Sequence, residues 1–329
     1  MKIAKPIRDA FENNENLYKP LRNAVHETLK PQVEDRGWFY VDRLKSLESF
    51  ALKVETGRFP DYARLEDFFG CTIIIPTFSQ MDRAIDLVNS LFEIVSRRPK
   101  IETETHKFAS DFTFDDLRLY VRKRPAVDLR PSDLDGVVFE IQIKTILQYA
   151  WGVATHDLIY KTDEVSWPKE RIAYQVKAML EHAELAIAEA GQLSTAPAVS
   201  KQDQRTKDIL KVIEQLRSVW RSADVLPEDL KRLAQNIVVV LAAGDVKVDT
   251  LSEILAHEKK RIGLLPTDLS PYSFVIQALA NHPDLNFETK FKRKHIRATL
   301  VIHDGMELPA SMRMPHERIL VLRPVPVSL

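Results

Sequence analysis

The stretch 138–161, VFEIQIKTILQYAWGVATHDLIYK, concentrates side chains able to handle phosphate or a metal. Its first half alternates as a half-buried strand does: Val137, Phe139, Ile141 and Ile143 face one way, and Val138, Glu140, Gln142 and Lys144 the other. A helical pattern follows, with His156 and Tyr160 four residues apart on one face and Lys161 beside them. A strand that presents a carboxylate and an amide, then runs into a helix carrying His, Tyr and Lys, suits a phosphate or divalent-metal site. An edge strand with a solvated polar face has the same composition.

A second pattern lies in DRLKSLESFALKVETGRFPD. Lys45, Ser49 and Lys53 recur every four residues, so a helix would align them in one polar row, with Arg43 just before it and Leu47, Phe50 and Val54 on the opposite side. Two ammonium groups and a hydroxyl in line could follow a polyphosphate, since each aims donors at the same oxygens. A solvated helix face also has this pattern. In YARLEDFFGCTIIIP, Asp67 stands before Gly70 at the mouth of an apolar run, Cys71 to Ile75, that predicts a strand covered on both faces. A carboxylate there could hold a divalent metal or cap a turn. Cys71, the single cysteine, lies in that run and is expected to be a buried structural thiol; with no partner for a disulfide it fits a reducing compartment.

The elements that must position these groups follow from periodicity. A helix is expected over 15–34, with Pro20 in its first turn and Pro31 near its end. Another is expected over 79–96, with Met81, Ala84, Ile85, Val88, Leu91 and Phe92 inward. Strands are expected near 101–106 and over Leu117–Val121, and a long helix from about Glu170 to Leu193. Strand, helix and further strands together predict an α/β (α+β) domain around a mixed sheet. Lysine plus arginine and aspartate plus glutamate are equal at 47 each, which excludes a uniformly basic nucleic-acid coat but not a local patch. The N-terminus lacks the apolar region of a secretory signal, and the longest apolar run, near residue 240, is too short to span a bilayer. A soluble, cytoplasmic protein with no membrane contact is expected.

The order and spacing of RLKSLESFALK, EDFFGCTI and EIQIKT followed by HDLIYK resemble the synthetase domain of RelA/SpoT-like enzymes, the small alarmone synthetases, over roughly residues 20–190. The resemblance implies a nucleotidyltransferase-like fold. It also implies transfer of the β,γ-pyrophosphate of ATP to the 3′-hydroxyl of a ribonucleotide, most often GDP or GTP, with Mg²⁺ as cofactor. On that basis Asp67 and Glu140 match the catalytic, metal-binding carboxylates, and Arg43, Lys45, Ser49 and Lys53 the ATP-contacting motif. Phe114, Arg118, Gln142, Lys144, His156, Tyr160 and Lys161 are the candidates for the acceptor side. Two places depart from the family pattern. Thr72 stands where an arginine normally stacks on adenine. The acceptor loop reads TFDDLR, with Phe114 at the base-stacking tyrosine position and Arg118 at that of the histidine. Phe114 keeps an aromatic face, but Asp115 and Asp116 would repel an acceptor's phosphates.

The predicted organisation is a synthetase domain over 1–193, a linker over 194–204 (STAPAVSKQDQ) and a helical regulatory or recognition domain over 205–329. Helices are expected there at 205–221, 227–243, 250–262 and 271–281. Thr250 with Glu253 predicts a capping box, and Ser270 with Pro271 an N-cap before an N1 proline. Two strands are expected at 295–303 and 317–323. The basic tract Lys290–Arg297 could meet phosphates or protect a strand edge. Two further functions stay open: a toxin-type enzyme that modifies the 3′ end of tRNA, with the C-terminal half as restraint or sensor and an effector or antitoxin as partner, and an inactive relative that binds nucleotide or RNA.

Overall fold

The structure is a computed structural model and describes residues 2–57, 62, 65–100, 117–124, 133–159 (backbone only at 156–159), 165–220, 225–263, 268–293 and 298–323. The chain divides into two compact units, Met1–Val199 and Ser200–Leu329. The boundary falls inside the 194–204 stretch.

The first unit opens with helix α1, Lys5–Glu34, whose buried residues Ala10, Asn14, Tyr18, Leu21, Val25, Leu29 and Val33 recur every three or four positions. The helix starts ten residues earlier than its apolar spacing after residue 15 suggests. Pro6 sits in its first turn, so Pro20 lies in the interior rather than at the start. Pro20 is on the exposed side, as is Asn16, whose carbonyl it leaves without a helical donor.

Next come strand β1 (Phe39–Leu44), helix α2 (Leu47–Glu55), strand β2 (Phe69–Ile75), helix α3 (Met81–Leu91) and strands β3 (Phe92–Arg98), β4 (Leu117–Lys123) and β5 (Phe139–Thr145). Helix α4 (Ile146–Ile159) continues from β5, and α5 (Trp167–Ala188) and α6 (Ala190–Leu193) follow. The predicted helix over 79–96 is therefore too long. It stops at Leu91, and Phe92–Arg98 turns into a strand, because the alternating FEIVSRR pairs antiparallel with β4. Short apolar runs of this kind satisfy either period until a partner strand decides. The expected strand near 101–106 lies outside the described residues.

The five strands form one mixed sheet in the order β1-β2-β5-β4-β3, with β2 and β5 parallel and the other pairs antiparallel. One face is apolar: Phe69, Cys71, Ile73 and Ile75 of β2, Phe139, Ile141 and Ile143 of β5, and Leu117, Leu119 and Val121 of β4 are buried in one core with α1 and α3. β5, central and parallel to β2, is buried all along its apolar face and, on the other face, at Glu140.

The second unit contains helices α7 (Gln204–Val219), α8 (Leu230–Ala243), α9 (Leu251–Ile262), α10 (Pro271–Asn281) and α11 (Phe287–Arg293), with a parallel pair of short strands, β6 (Leu300–His303) and β7 (Ile319–Leu322). Ser270 caps α10 by accepting from the Ser273 amide. The Thr250–Glu253 capping box does not form: Thr250 Oγ1 donates instead to the Lys247 carbonyl, at 2.8 Å. α11 was not anticipated, and it takes up the first part of the basic tract. Lys292 is paired with Glu288 at 2.5 Å inside that helix. Residues 294–297 lie outside the described ones. Glu258, fully buried, is the polar hub of this unit: it accepts from Arg261, Gln277 and Asn281, so its charge is compensated at every oxygen.

Gly244 ends α8 under the ring of Phe287. A Cβ there would stand 2.3 Å from that ring's carbon, and Phe287 is itself buried. Gly244→Ala is therefore expected to destabilise the second unit by about 1–3 kcal/mol through overpacking. Denaturant unfolding followed by circular dichroism measures it, and Gly244→Ala with Phe287→Leu should recover part of the loss.

Candidate functional site

An aromatic cluster sets the geometry around Asp67. Phe68, fully buried, stacks on Tyr18 at 5.3 Å between ring centres and meets Phe50 edge-on at 5.7 Å, with Phe11 against both. This locks the residue after Asp67 against α1 and α2. The backbone adds a second tie, because the Lys45 amide donates to the Phe68 carbonyl at 2.8 Å. Lys45 and Asp67 are thus fixed to neighbouring points of one backbone bridge.

The predicted row of Lys45, Ser49 and Lys53 forms differently from expectation. The segment DRL continues β1, so Lys45 lies in the turn between strand and helix. Ser46 caps α2, accepting from the Ser49 amide at 3.3 Å. Ser49 is drawn into that cap, its hydroxyl 3.0 Å from that of Ser46. Lys45 and Lys53 nevertheless converge. The Lys45 ammonium is 3.1 Å from Asp67 Oδ2, and Lys53 donates to the same oxygen. Burial alone would raise the Asp67 carboxyl; the Lys53 hydrogen bond and the charges of Lys45 and Lys53 outweigh it and hold Asp67 below the usual carboxylate range. Its other oxygen, Oδ1, is buried and has no hydrogen-bond partner among the described residues.

The sheet register collects the rest. Arg43 of β1 pairs with Gly70 of β2, Gly70 with Glu140 of β5, and Glu140 with Tyr120 of β4. Directly paired residues share a face, so these four form one row across the sheet on the side opposite the apolar core. The adjacent row runs Val41, Thr72, Gln142, Arg118 and Arg98. Glu140 is buried, and both its oxygens are engaged: Tyr120 donates to Oε2 at 3.0 Å and Gln142 to Oε1 at 2.5 Å, with Arg118 3.9 Å from Oε2. The structure thus brings Arg43, Arg118, Glu140 and Gln142 to one face, with Lys144 next along β5. Phe114, Tyr160 and Lys161 lie outside the described residues, as does the side chain of His156, whose backbone is in α4.

Three contributors escape the sequence reading. Tyr120 binds Glu140, and burial beside that carboxylate pushes its phenol up to about 12, so it stays a donor. Its alternation with Arg118 along β4 is the signal that would have found it. Arg98 lies over the Tyr120 ring at 5.1 Å. Glu184, buried on α5, accepts from the Thr145 hydroxyl, while the Thr145 amide donates to Gln148 at 3.0 Å; this network fastens the turn from β5 into α4. No local pattern marks a buried acid on an amphipathic helix.

Among the described residues no cluster of three or more His, Cys, Asp or Glu side chains could hold a metal ion. Mg²⁺ typically uses only one or two protein carboxylates and completes its shell with water and substrate phosphate. The unpartnered Asp67 Oδ1, a hard oxygen at the mouth of β2, fits that requirement. Among the described residues no helix is long and apolar enough to cross a membrane.

Residues 42–165 match the model of the family described as the region found in RelA/SpoT proteins, a span that holds Asp67 and Glu140. No curated protein matches the chain. Similar solved structures include small alarmone synthetase 1 from Bacillus subtilis, at 20% identity and TM-score 0.43, covering 55% of this chain and 98% of that one. Small alarmone synthetase 2 from the same organism aligns at 18% identity and TM-score 0.44, covering 55% and 97%. The complex of the Type VI effector Tas1 with its immunity protein aligns at 15% identity and TM-score 0.31, covering 54% and 96%.

Glu184 gives a pH test of the brace behind the site. Burial, then the nearby Glu181 charge, raises its carboxyl to about 7 from 4.5. A raised acid favours the folded state while protonated, so its contribution is full below 4.5 and is lost as pH rises through about 7. Stability measured from pH 5 to 8 should therefore fall in the wild type relative to Glu184→Gln, whereas parallel curves would show that Glu184 is ordinary.

Proposed function

We propose, from the match of residues 42–165 to the region found in RelA/SpoT proteins, that the chain is an ATP-dependent pyrophosphokinase. It transfers the β,γ-pyrophosphate of ATP to the 3′-hydroxyl of a ribonucleotide, with GDP or GTP as acceptor and a (p)ppGpp-type alarmone as product. The observation that carries this reading is the placement of two carboxylates with different surroundings along one pair of parallel strands. Asp67 is clamped by two lysines at the mouth of β2, and Glu140 beside Gly70 accepts from Tyr120 and Gln142 with Arg118 farther off.

The division of labour follows from those surroundings. Bound at Asp67, Mg²⁺ would neutralise the charge of the triphosphate and polarise the phosphoryl group under attack. Lys45 and Lys53, which both reach Asp67, are the donors that turn to the phosphate oxygens, with Arg43 on the neighbouring strand and the Ser49 hydroxyl at the start of α2. Glu140 keeps lone pairs beyond the two that Tyr120 and Gln142 occupy, since a carboxylate offers about four acceptor sites. It accepts the proton of the acceptor's 3′-hydroxyl as that oxygen bonds to the β-phosphorus. The bond between the β-phosphorus and the bridging oxygen to the α-phosphate breaks, and AMP leaves. Arg118, Gln142 and Lys144 supply the acceptor side, and Arg98 and Arg118 provide positive charge opposite to that of Asp115 and Asp116.

Incubation with ATP labelled in the γ-phosphate, separately with GDP, GTP and deacylated tRNA, tests the reaction and its acceptor together. Label in the nucleotide with stoichiometric AMP is the expected result; label only in tRNA would replace the acceptor, and none in any would defeat the reading. Asp67→Asn and Glu140→Gln should each abolish transfer with unchanged circular dichroism. Lys45→Ala and Lys53→Ala should each lose about 1.5–3 kcal/mol of ATP binding or transition-state stabilisation, roughly ten- to a hundredfold in kcat/KM for ATP.

A further inference from the structure

Gly70 is the second residue of β2, inside the five-stranded sheet, where glycine is a poor choice. It loses more conformational freedom on folding than any other residue and gives the strand no side chain to pack. The backbone does not call for it. Gly37, Gly57 and Gly263 have positive φ, whereas Gly70 has the extended conformation of its strand. Packing does not call for it either. Apart from chain neighbours, a Cβ at Gly70 would meet one atom of the described residues within 4 Å, the Glu140 carbonyl oxygen at an ordinary 3.7 Å. At Gly244, by contrast, a Cβ would strike the Phe287 ring. The fold would therefore accept alanine at position 70 without strain.

The space left by the missing side chain lies in the middle of the site. Gly70 is half-buried on the polar face, between Arg43 of β1 and Glu140 of β5 in one row. Neighbouring strands are about 4.8 Å apart, so the Arg43 and Glu140 backbones stand about 10 Å apart across it. No side chain of the described residues reaches within 4 Å of the Cβ position. Tyr120 and Arg118 approach Glu140 from β4, and Gln142 from farther along β5, so the side of Glu140 toward Gly70 is the one they leave open. Asp67, with Lys45 and Lys53 on it, stands three residues before Gly70 at the mouth of the same strand. We infer that this gap holds the phosphoryl group in transit, so that the reaction requires glycine at position 70 and the fold does not. The inference rests on the pyrophosphokinase reading and adds to it the place where donor and acceptor meet. A β-phosphorus over Gly70 would lie between the groups that hold the triphosphate and the carboxylate that takes the proton. The attacking oxygen must come within about 3–3.5 Å of that phosphorus, and a displacement of about 1 Å lowers the rate roughly a hundredfold. One methyl group in the gap is large enough to cause it.

The full chain carrying Gly70→Ala or Gly70→Val tests the inference against the wild type in three measurements: transfer from γ-labelled ATP, calorimetric binding of a non-hydrolysable ATP analogue with Mg²⁺, and thermal unfolding. The kcat should fall about ten- to a hundredfold in Gly70→Ala and further in Gly70→Val, following the volume added. Affinity for the analogue should stay within about threefold of the wild type, because Asp67, Lys45 and Lys53 are untouched. Gly70→Ala should unfold at the wild-type temperature or above it, since alanine loses less freedom on folding. Wild-type kcat in Gly70→Val would overturn the inference and leave the pyrophosphokinase reading standing. So would equal losses of kcat and analogue affinity, which would make position 70 part of the ground-state binding surface. A lowered unfolding temperature in Gly70→Ala would also overturn it, because the fold would then need the glycine. A wild type that passes label to no acceptor would overturn both the inference and the reading on which it rests.

Discussion

The first unit depends on one electrostatic arrangement, a largely buried carboxylate shared by two ammonium groups. Asp67 could not remain charged in that position without compensation, since burial by itself favours the neutral acid. Lys45 and Lys53 supply it, and the fold spends much of its local order on bringing them there. The aromatic cluster at Phe68 fixes the segment, the Lys45–Phe68 backbone bond fixes the turn, and the Ser46 cap starts α2 so that Lys53 arrives two turns later. Both lysines hold the same oxygen, and the other has no partner among the described residues. The arrangement is stable as it stands and also has an open ligand position.

Glu140 is the counterpart, with different physics. Its hydrogen bonds come from a phenol and an amide, with Arg118 as a longer ion-pair partner at 3.9 Å. Two carboxylates in such different surroundings can serve different tasks in one reaction, one toward cations and phosphate, the other toward a proton. The register of four strands, from Arg43 through Gly70 and Glu140 to Tyr120, puts Glu140 on the polar face of the sheet.

Much of this was legible in the amino-acid sequence where the signal is local. The alternation in VFEIQIK gave β5 and its polar side, and the apolar run after Asp67 gave β2. The Lys45–Ser49–Lys53 spacing identified the right residues through a partly wrong element, since Lys45 is in a turn that β1 creates. β1 and β3 were not legible because FYVDRL and FEIVSRR become strands only by pairing with β2 and β4, distant in sequence. Pro20 misled for a related reason: a proline on the solvent side of a long, well-anchored helix costs little of what isolated propensity suggests. Tyr120, Arg98 and Glu184 act through contacts across strands or helices, which spacing along one segment does not encode.

The exchange of partners at Asp67 is the centre of this account and can be measured without turnover. Affinity for a non-hydrolysable ATP analogue, with and without Mg²⁺, should be compared between the wild type and Asp67→Asn by calorimetry. In the wild type Mg²⁺ should strengthen binding markedly, because it takes Asp67 and releases both lysines to the phosphates. In Asp67→Asn the lysines no longer face the Asp67 charge, so the metal-free analogue should bind more tightly than to the wild type and Mg²⁺ should add little. Equal Mg²⁺ enhancement in the two proteins would contradict the account.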